Sequence, residues 1–306
     1  RRQPQMWIRD SAIPTVLTMT VVPILGAGSS MADYRIGFKW WALIIAVVFV
    51  ISELVCVACV PERPVACDEK PGKISDMFKA LFKNDQAMTV VVSIILVYTS
   101  LNICGNLVLY FFRFDVGNEG AYSIFAAVAF AAQVLVMMVI PLLRKRFSKS
   151  QLFISGFIIQ IAGFAVILIM AFAKLYTPQS WYILCLPGIL IYLGYGMLNV
   201  IMTIFLSDSV DYGEVMNGTR EESVIFSMQT FTVKLASGVA VFLAGLVVDW
   251  IHLDTAAAVQ TQDTLDALRM WMTIPSVILL IVGIFVFKRF YKLDDTRMEE
   301  IKSKLN

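Results

Sequence analysis

Residues 208–234 read DSVDYGEVMNGTREESVIFSMQTFTVK, and they join two kinds of sequence that seldom meet. The first half is a charged patch of Asp208, Asp211, Glu214, Arg220, Glu221 and Glu222. The second half runs without a break into an apolar segment that continues to about Val248, with one cation, Lys234, inside it. A lysine in mid-membrane costs about 2.5–3.5 kcal/mol on insertion scales, so it needs a partner or a wet cavity. Ser223, Ser227, Thr230, Lys234 and Ser237 recur at steps of 4, 3, 4 and 3, which puts them on one face of a helix. An apolar helix with one polar stripe faces a protein interior or a water-filled path.

Outward from that stretch the chain is 58% hydrophobic and 16% charged, with a mean hydropathy of +0.76. A soluble domain carries about 25% charged residues. The apolar runs are about 20 residues long, which is the length of a membrane-crossing helix. The reading is therefore an all-α integral membrane protein, with a net charge of +2 that says nothing about partners. Cys56, Cys59, Cys67, Cys104 and Cys185 are an odd number scattered through apolar segments, which is no disulfide framework. The single histidine, His252, argues against a His-based metal or catalytic site. No metal site is expected, nor any nucleic-acid partner. The start, RRQPQMWIRD, looks like a loop feeding a helix, and a preceding N-terminal portion is expected.

Eight spans are predicted: 11–29, 38–60, 87–112, 122–143, 152–173, 181–206, 223–248 and 269–287. The first is the weakest, interrupted by Pro14 and Pro23; broken segments tend to line pathways. Residues 61–86 form a polar connection whose second half, 74–82, has the spacing of a short interfacial helix. It divides two spans (1–60) from six (87–287), and a charged tail follows at 288–306. With the N-terminus cytoplasmic, nineteen lysines and arginines fall inside and five outside. That bias fixes the orientation, with both ends of the chain cytoplasmic in a multi-pass inner-membrane protein.

Several polar side chains inside the spans carry the functional question. Asn199 follows Gly194 and Gly196; it is either interhelical glue or a ligand contact. Asn102 and Asn106 share a face one turn apart, and the same two readings apply, with a pathway lining favoured because the pair adjoins Thr99. Gln133 and Gln160 are single amides, expected to bond helix to helix. Lys234 is a structural cation or a coupling residue in an ion or proton relay. Asp208, Asp211 and Glu214 have the spacing of a metal site, but Arg220 beside them favours a salt-bridge lock between cytoplasmic helix ends.

The stretch SDSVDYGEVMNGTREESVIFSMQTFTVKLAS, with FKNDQ at 82–86, YFFRFDVGN ending at Asn118 and FKRFYKLDD at 287–295, resembles the glycoside–pentoside–hexuronide:cation symporters of the major facilitator superfamily. The resemblance covers most of residues 74–295. It implies a transporter of twelve helices in two six-helix bundles, of which this chain would carry helices five to twelve. It places Gln229, Thr230, Lys234 and Asn102 at the sugar–cation cavity, with Lys234 as an ion-coupling residue. Arg9 would match an arginine of the fifth helix. Asn199 stands where a family member has a sugar-contacting tryptophan, so an amide replaces an aromatic platform. Asp208, Asp211, Tyr212, Glu214, Arg220 and Glu222 match the motif that closes the cytoplasmic side. The family's cation-site aspartates lie on earlier helices, so the coupling ion, Na+ or H+, is open; no other cofactor is implied. The partners implied are a small sugar or glycoside and the lipid bilayer, with the oligomeric state open.

Two other readings remain. One is a transporter-like protein for an amphiphile or lipid, or a sensor that does not transport. The other is a membrane enzyme, for which there is no His cluster, no Ser/His/Asp set and no phosphate loop. A sugar path predicts a cavity of amides and hydroxyls, and a lipid path predicts a greasy one. The stripe from Ser223 to Ser237 with Asn199 favours sugar.

Overall fold

A computed structural model describes residues 31–59, 84–217 and 222–305, apart from 256, 258 and 294. The expected first span, Arg9, Arg220 and the connection up to 83 with its interfacial helix lie outside the described residues. The chain divides into two compact units, 1–72 and 73–306. In the first, α1 runs over Met31–Cys59 and exposes Val47, Phe49 and Leu54. A helix apolar on every side belongs in a membrane or a large core.

Among its described residues the second unit holds seven α-helices: α2 (Asp85–Tyr110), α3 (Ala121–Leu143), α4 (Lys149–Phe172), α5 (Cys185–Asn217), α6 (Glu222–Trp250), α7 (Gln262–Phe290) and α8 (Asp295–Leu305). Their starts are set by side chains that satisfy the first free amides. Asn84 accepts from Ala87 N at 3.0 Å. Ser148 and Gln151 form a reciprocal capping box. Thr261 accepts from Thr264 N. α2 continues through a π turn, Phe111–Asp115, and a 3₁₀ turn, Trp181–Leu184, leads into α5. Among the described residues seven helices are long and apolar enough to cross a membrane, including α1 but not α8.

Two helices organise the unit. α5 packs between α3 and α4, and α2 packs against α5, α6 and α7. The α5 contacts are close because glycines face its neighbours. A Cβ at Gly194 would lie 2.6 Å from the Gln160 amide nitrogen and from the Gly156 carbonyl oxygen of α4. A Cβ at Gly196 would lie 2.6 Å from Val136 of α3. Small residues let helix backbones approach in this way, and dispersion contacts then replace a hydrophobic driving force that lipid does not supply. Toward the Asp208 end, Phe153, Phe205, Phe287 and Tyr291 stack, with ring centroids 4.4–5.2 Å apart.

The structure departs from the sequence reading at three places. α5 does not stop near 206 but runs to Asn217, so the charged patch begins as helix. This is possible because Asp208 has a buried partner, described below. α7 begins at Gln262, so Arg269 is two turns inside a helix and 2% exposed rather than in a loop. Gln160, expected to bond across helices, is fully buried with both amide atoms unpartnered, and Gly194 of α5 stands opposite it. Packing at that crossing outweighs the roughly 1–3 kcal/mol that leaving a buried polar group unsatisfied costs.

Candidate functional site

The polar residues of the spans collect at three levels of the second unit. At mid-length, α2, α5 and α6 contribute one connected patch. The Asn199 amide donates to the Tyr98 hydroxyl at 2.6 Å. The Tyr98 and Tyr195 rings meet edge to face at 5.5 Å. Ser237 donates to Asn102 Oδ1 at 3.4 Å. Asn102 and Asn106 each return Nδ2 to the carbonyl four residues earlier, Tyr98 O and Asn102 O, at 2.7 Å. These back-bonds occupy one amide hydrogen of each residue and leave the rest of the head group for other partners. Asn102, Asn106 and Asn199 are all half-buried. Tyr98 and Tyr195 are each 8% exposed, so they form the floor of the patch and the amides its surface.

Of the residues expected at a sugar–cation cavity, the structure joins Asn102 and Asn199 through Tyr98 and Ser237. Lys234 lies one turn before Ser237 on α6 and is exposed, as are Ser227 and Thr230. The Thr230 hydroxyl returns to Phe226 O at 3.3 Å, and Gln229 is half-buried. No hydrogen bond or ion pair of Lys234 is found among the described residues. The polar stripe of α6 thus opens away from the packed bundle. Tyr98 and Tyr195 were missed at the sequence level, although each precedes a chosen asparagine by four residues and so shares its face.

At the Asp208 end a second network ties helix ends. Lys149 at the start of α4 pairs with Asp208 of α5, their side chains 7% and 6% exposed, and reaches Asp295 of α8 at 3.3 Å. Arg144 meets the same Asp295 at 3.4 Å. Burial raises the affinity of the Asp295 carboxyl for a proton, but Arg144 and Lys149 outweigh it and hold its pKa below the usual range. Tyr291, with its hydroxyl buried and unpartnered, is pushed upward by burial and then by Asp208 and Asp295. Asn84 donates to Ser209 O at 2.8 Å and lies over Gly213, where a Cβ would approach its amide to 2.8 Å. The Lys292 amide donates to Gln86 at 2.8 Å. Asn84 and Gln86 therefore strap the start of α2 to the ends of α5 and α7. Tyr212 packs with Leu293, Met298 and Ile301 around α8. Asp211, Glu214 and Glu222 are engaged by neighbours. The partner of Asp208 is thus Lys149 from the basic loop, a residue the sequence reading counted only as loop charge.

The third level is the opposite end. Asp115, at the close of the π turn, accepts from Arg269 Nε at 2.8 Å and Nη2 at 2.5 Å, and from the Tyr176 hydroxyl at 2.7 Å. Arg269 Nη1 donates to Asp266 at 2.7 Å. The Asp115 and Arg269 side chains are 4% and 3% exposed. Burial, then the Asp115 carboxylate, raises the Tyr176 pKa.

The family of MFS/sugar transport proteins matches residues 10–295. The chain is 24% identical over 293 residues to an uncharacterized symporter, YjmB, of Bacillus subtilis, covering 95% of this chain and 61% of that protein. It is 23% identical to the raffinose carrier protein of Pediococcus pentosaceus, over 95% of this chain and 45% of the carrier. It is 24% identical to the isoprimeverose transporter of Lactiplantibacillus pentosus, over 93% and 57%. The chain thus spans about half to three-fifths of the length of these relatives. With an all-helical, multi-pass membrane architecture and this match over nearly all its residues, the chain belongs to the MFS/sugar transport protein family.

Proposed function

We propose that the protein carrying this chain is a secondary transporter that moves a sugar or glycoside together with a cation, Na+ or H+. The observation that carries this reading is the connected patch of Tyr98, Asn102, Asn199 and Ser237 at mid-length of apolar helices. Amides and hydroxyls are the partners that sugar hydroxyls need, and in lipid they would be costly without a wet path. The named relatives that carry raffinose and isoprimeverose support the same substrate class. A lipid or amphiphile path would call for an apolar lining at this level. Gln229 and Thr230 extend the sugar site along α6, and Arg9 is a further sugar contact in this reading.

In this reading Lys234 is the coupling residue. It is an exposed cation beside the patch, so a carboxylate or a bound cation on an opposing surface would change its interaction energy between states. Asp208, Asp211, Tyr212, Glu214, Arg220 and Glu222 would form the inner gate, with Asp208 held in place by Lys149. Transport proceeds by alternating access, one bundle rocking against the other around the midplane site. The protein then resides in the cell membrane with both ends of this chain cytoplasmic.

The test is expression of the full-length protein in cells that lack sugar uptake. Cation-dependent accumulation of labelled sugars and glycosides is expected, and Lys234→Ala with Thr230→Ala is expected to abolish it. No accumulation of any sugar, with or without Na+ or a proton gradient, would sink the reading.

A further inference from the structure

The Asp208 end of the second unit carries more positive charge than its own network uses. The turn between α3 and α4 reads Arg144, Lys145, Arg146, Phe147, and α7 closes on Lys288, Arg289 and Phe290, with Lys292 just beyond. Phe153 of α4 and Phe287 of α7 touch, with ring centroids 4.5 Å apart, so the two segments lie at the same end of neighbouring helices. Both are tied down. Asp295 accepts from Arg144 and from the Lys149 backbone amide at 3.4 Å, and the Lys292 amide donates to Gln86 of α2. Arg144 and Lys149 are thereby committed to Asp295 and Asp208.

The remaining cations face outward. Lys145, Arg146, Lys288, Arg289 and Lys292 are all exposed, and among the described residues none of the five side chains forms an ion pair. The exposed carboxylates of this end stand on other elements: Asp85 starts α2, Glu222 starts α6, and Glu299 and Glu300 lie on α8. The helix dipole favours a cation in the last turn of α7, which accounts for Lys288 and Arg289 alone. It does not account for two phenylalanines among the charges. Phe147 is 47% and Phe290 51% exposed, and the Arg289 guanidinium lies 5.7 Å from the Phe290 ring centroid. Leu142 and Phe285, both exposed, continue this surface onto the apolar spans. The opposite end of the unit is arranged otherwise. Arg113 pairs with Glu119, Arg269 is buried on Asp115, and Lys174 meets Gln262, so no described lysine or arginine there is left without a partner.

We propose that the α3–α4 turn and the end of α7 form a docking surface for the head groups of anionic phospholipids. Clustered lysines and arginines beside a membrane-crossing helix attract such lipids over a Debye length. The arginine forks and lysine ammonium groups donate to the phosphate oxygens. Phe147 and Phe290 enter the boundary between head groups and acyl chains, where apolar side chains flanked by cations gain most. In the orientation proposed above, this end meets the inner leaflet, whose surface potential is negative. A lipid held across both segments fastens the α3–α4 turn to the end of α7 and steadies the Lys149–Asp208–Asp295 network from outside. The surface is separate from the sugar patch and independent of the substrate.

The full-length protein in neutral detergent is titrated with fluorophore-labelled phosphatidylglycerol or phosphatidylcholine of the same acyl chains, and binding is read by anisotropy. The wild type is expected to prefer phosphatidylglycerol, and the preference to shrink as salt is added; both readouts need no substitution. One surface lysine or arginine contributes about fivefold in affinity. Lys145→Gln with Arg146→Gln, and Lys288→Gln with Arg289→Gln, are therefore each expected to weaken phosphatidylglycerol binding about 25-fold and to leave phosphatidylcholine unchanged. Lys174→Gln, at the opposite end, is expected to change neither. A labelled polyglutamate peptide tests whether charge alone is recognised. Phe147→Ser with Phe290→Ser is expected to weaken phosphatidylglycerol and not the peptide. If the peptide binds as tightly as the lipid and the serine substitutions change neither, the surface suits an acidic protein and the lipid assignment falls. It falls equally if the two phospholipids bind alike, or if both double glutamine variants bind phosphatidylglycerol as the wild type does. Sugar uptake plays no part in this test, so either result leaves the transport reading standing.

Discussion

Asp115 accepts three hydrogen bonds in a place that water does not reach, and removing it tests how the Asp115 end of the bundle is held. Asp115→Ala leaves the Arg269 guanidinium, 3% exposed, with Asp266 alone, and strands the Tyr176 hydroxyl. Deleting one partner of a buried ion pair costs about 3–5 kcal/mol when the remaining charge is left without compensation; Asp266 still pairs with Arg269, so the low end, about 3 kcal/mol, is expected. At about 2–4 °C per kcal/mol for a unit of this size, the melting temperature falls by about 6–12 °C. The assay is thermal unfolding of the purified protein in detergent, read by a thiol-reactive dye on Cys104, a free and buried thiol. The pair Arg113–Glu119 serves as a control. It spans 3.8 Å with side chains 43% and 58% exposed, so Glu119→Gln should change stability by less than about 1 kcal/mol. Arg269→Met should match Asp115→Ala, and Asp115→Leu combined with Arg269→Met should recover much of the loss, since neither charge is then stranded. The reasoning is refuted if the single variants melt within about 2 °C of wild type, or if the double variant loses the sum of both.

The Asp208 end gives a pH prediction. Burial opposes ionisation of Asp295, but Arg144 and Lys149 outweigh it and lower its folded pKa, so its contribution is present above the unfolded value and lost as pH falls through the folded one. Melting temperature should therefore be insensitive to this group from pH 7 to 5 and fall below about pH 4. Asp295→Asn should melt lower at neutral pH and converge on wild type in acid; a constant difference across that range would count against it. The glycines give opposite signs on one assay. Gly194→Ala pushes a methyl into the α4 backbone and should cost about 1–3 kcal/mol. Gly238→Ala meets open space and should gain about 0.4–1 kcal/mol by restricting the unfolded chain. Equal effects at the two sites would contradict the packing described for α5.

The positions of the seven described membrane helices were legible in the sequence because each is a long apolar run with a polar break beside it. The charge pairs were not. Lys149 and Asp208, or Asp115 and Arg269, are separated by 59 and 154 residues, and no local pattern links them. Arg269 read as a loop charge because a loop was the inexpensive place for it; the structure shows a partner that makes a helix possible. Asn102 and Asn199 were visible as amides in mid-span, but the tyrosine between them was hidden, since Tyr98 counts as an apolar residue in any periodicity. Gln160 misled for the opposite reason. A lone amide suggests a bond, whereas its neighbour across the crossing is Gly194, which lets α4 and α5 close up.

α2 is anchored at three heights. Asn84 fixes one end to Ser209, Ser100 and Ser276 exchange hydroxyl bonds to each other's carbonyls at 3.1 and 2.8 Å, and Asp115 fixes the far end to Arg269. A column pinned in this way yields within an interval rather than at a pin. The lower interval is buried on most sides. The upper one contains Gly105, an exposed residue with nothing over it and the backbone that resists bending least. Compliance in α2 is thus concentrated in the turns that present Asn102, Asn106 and Tyr110, so a small flexure there moves the polar stripe while both ends stay fastened.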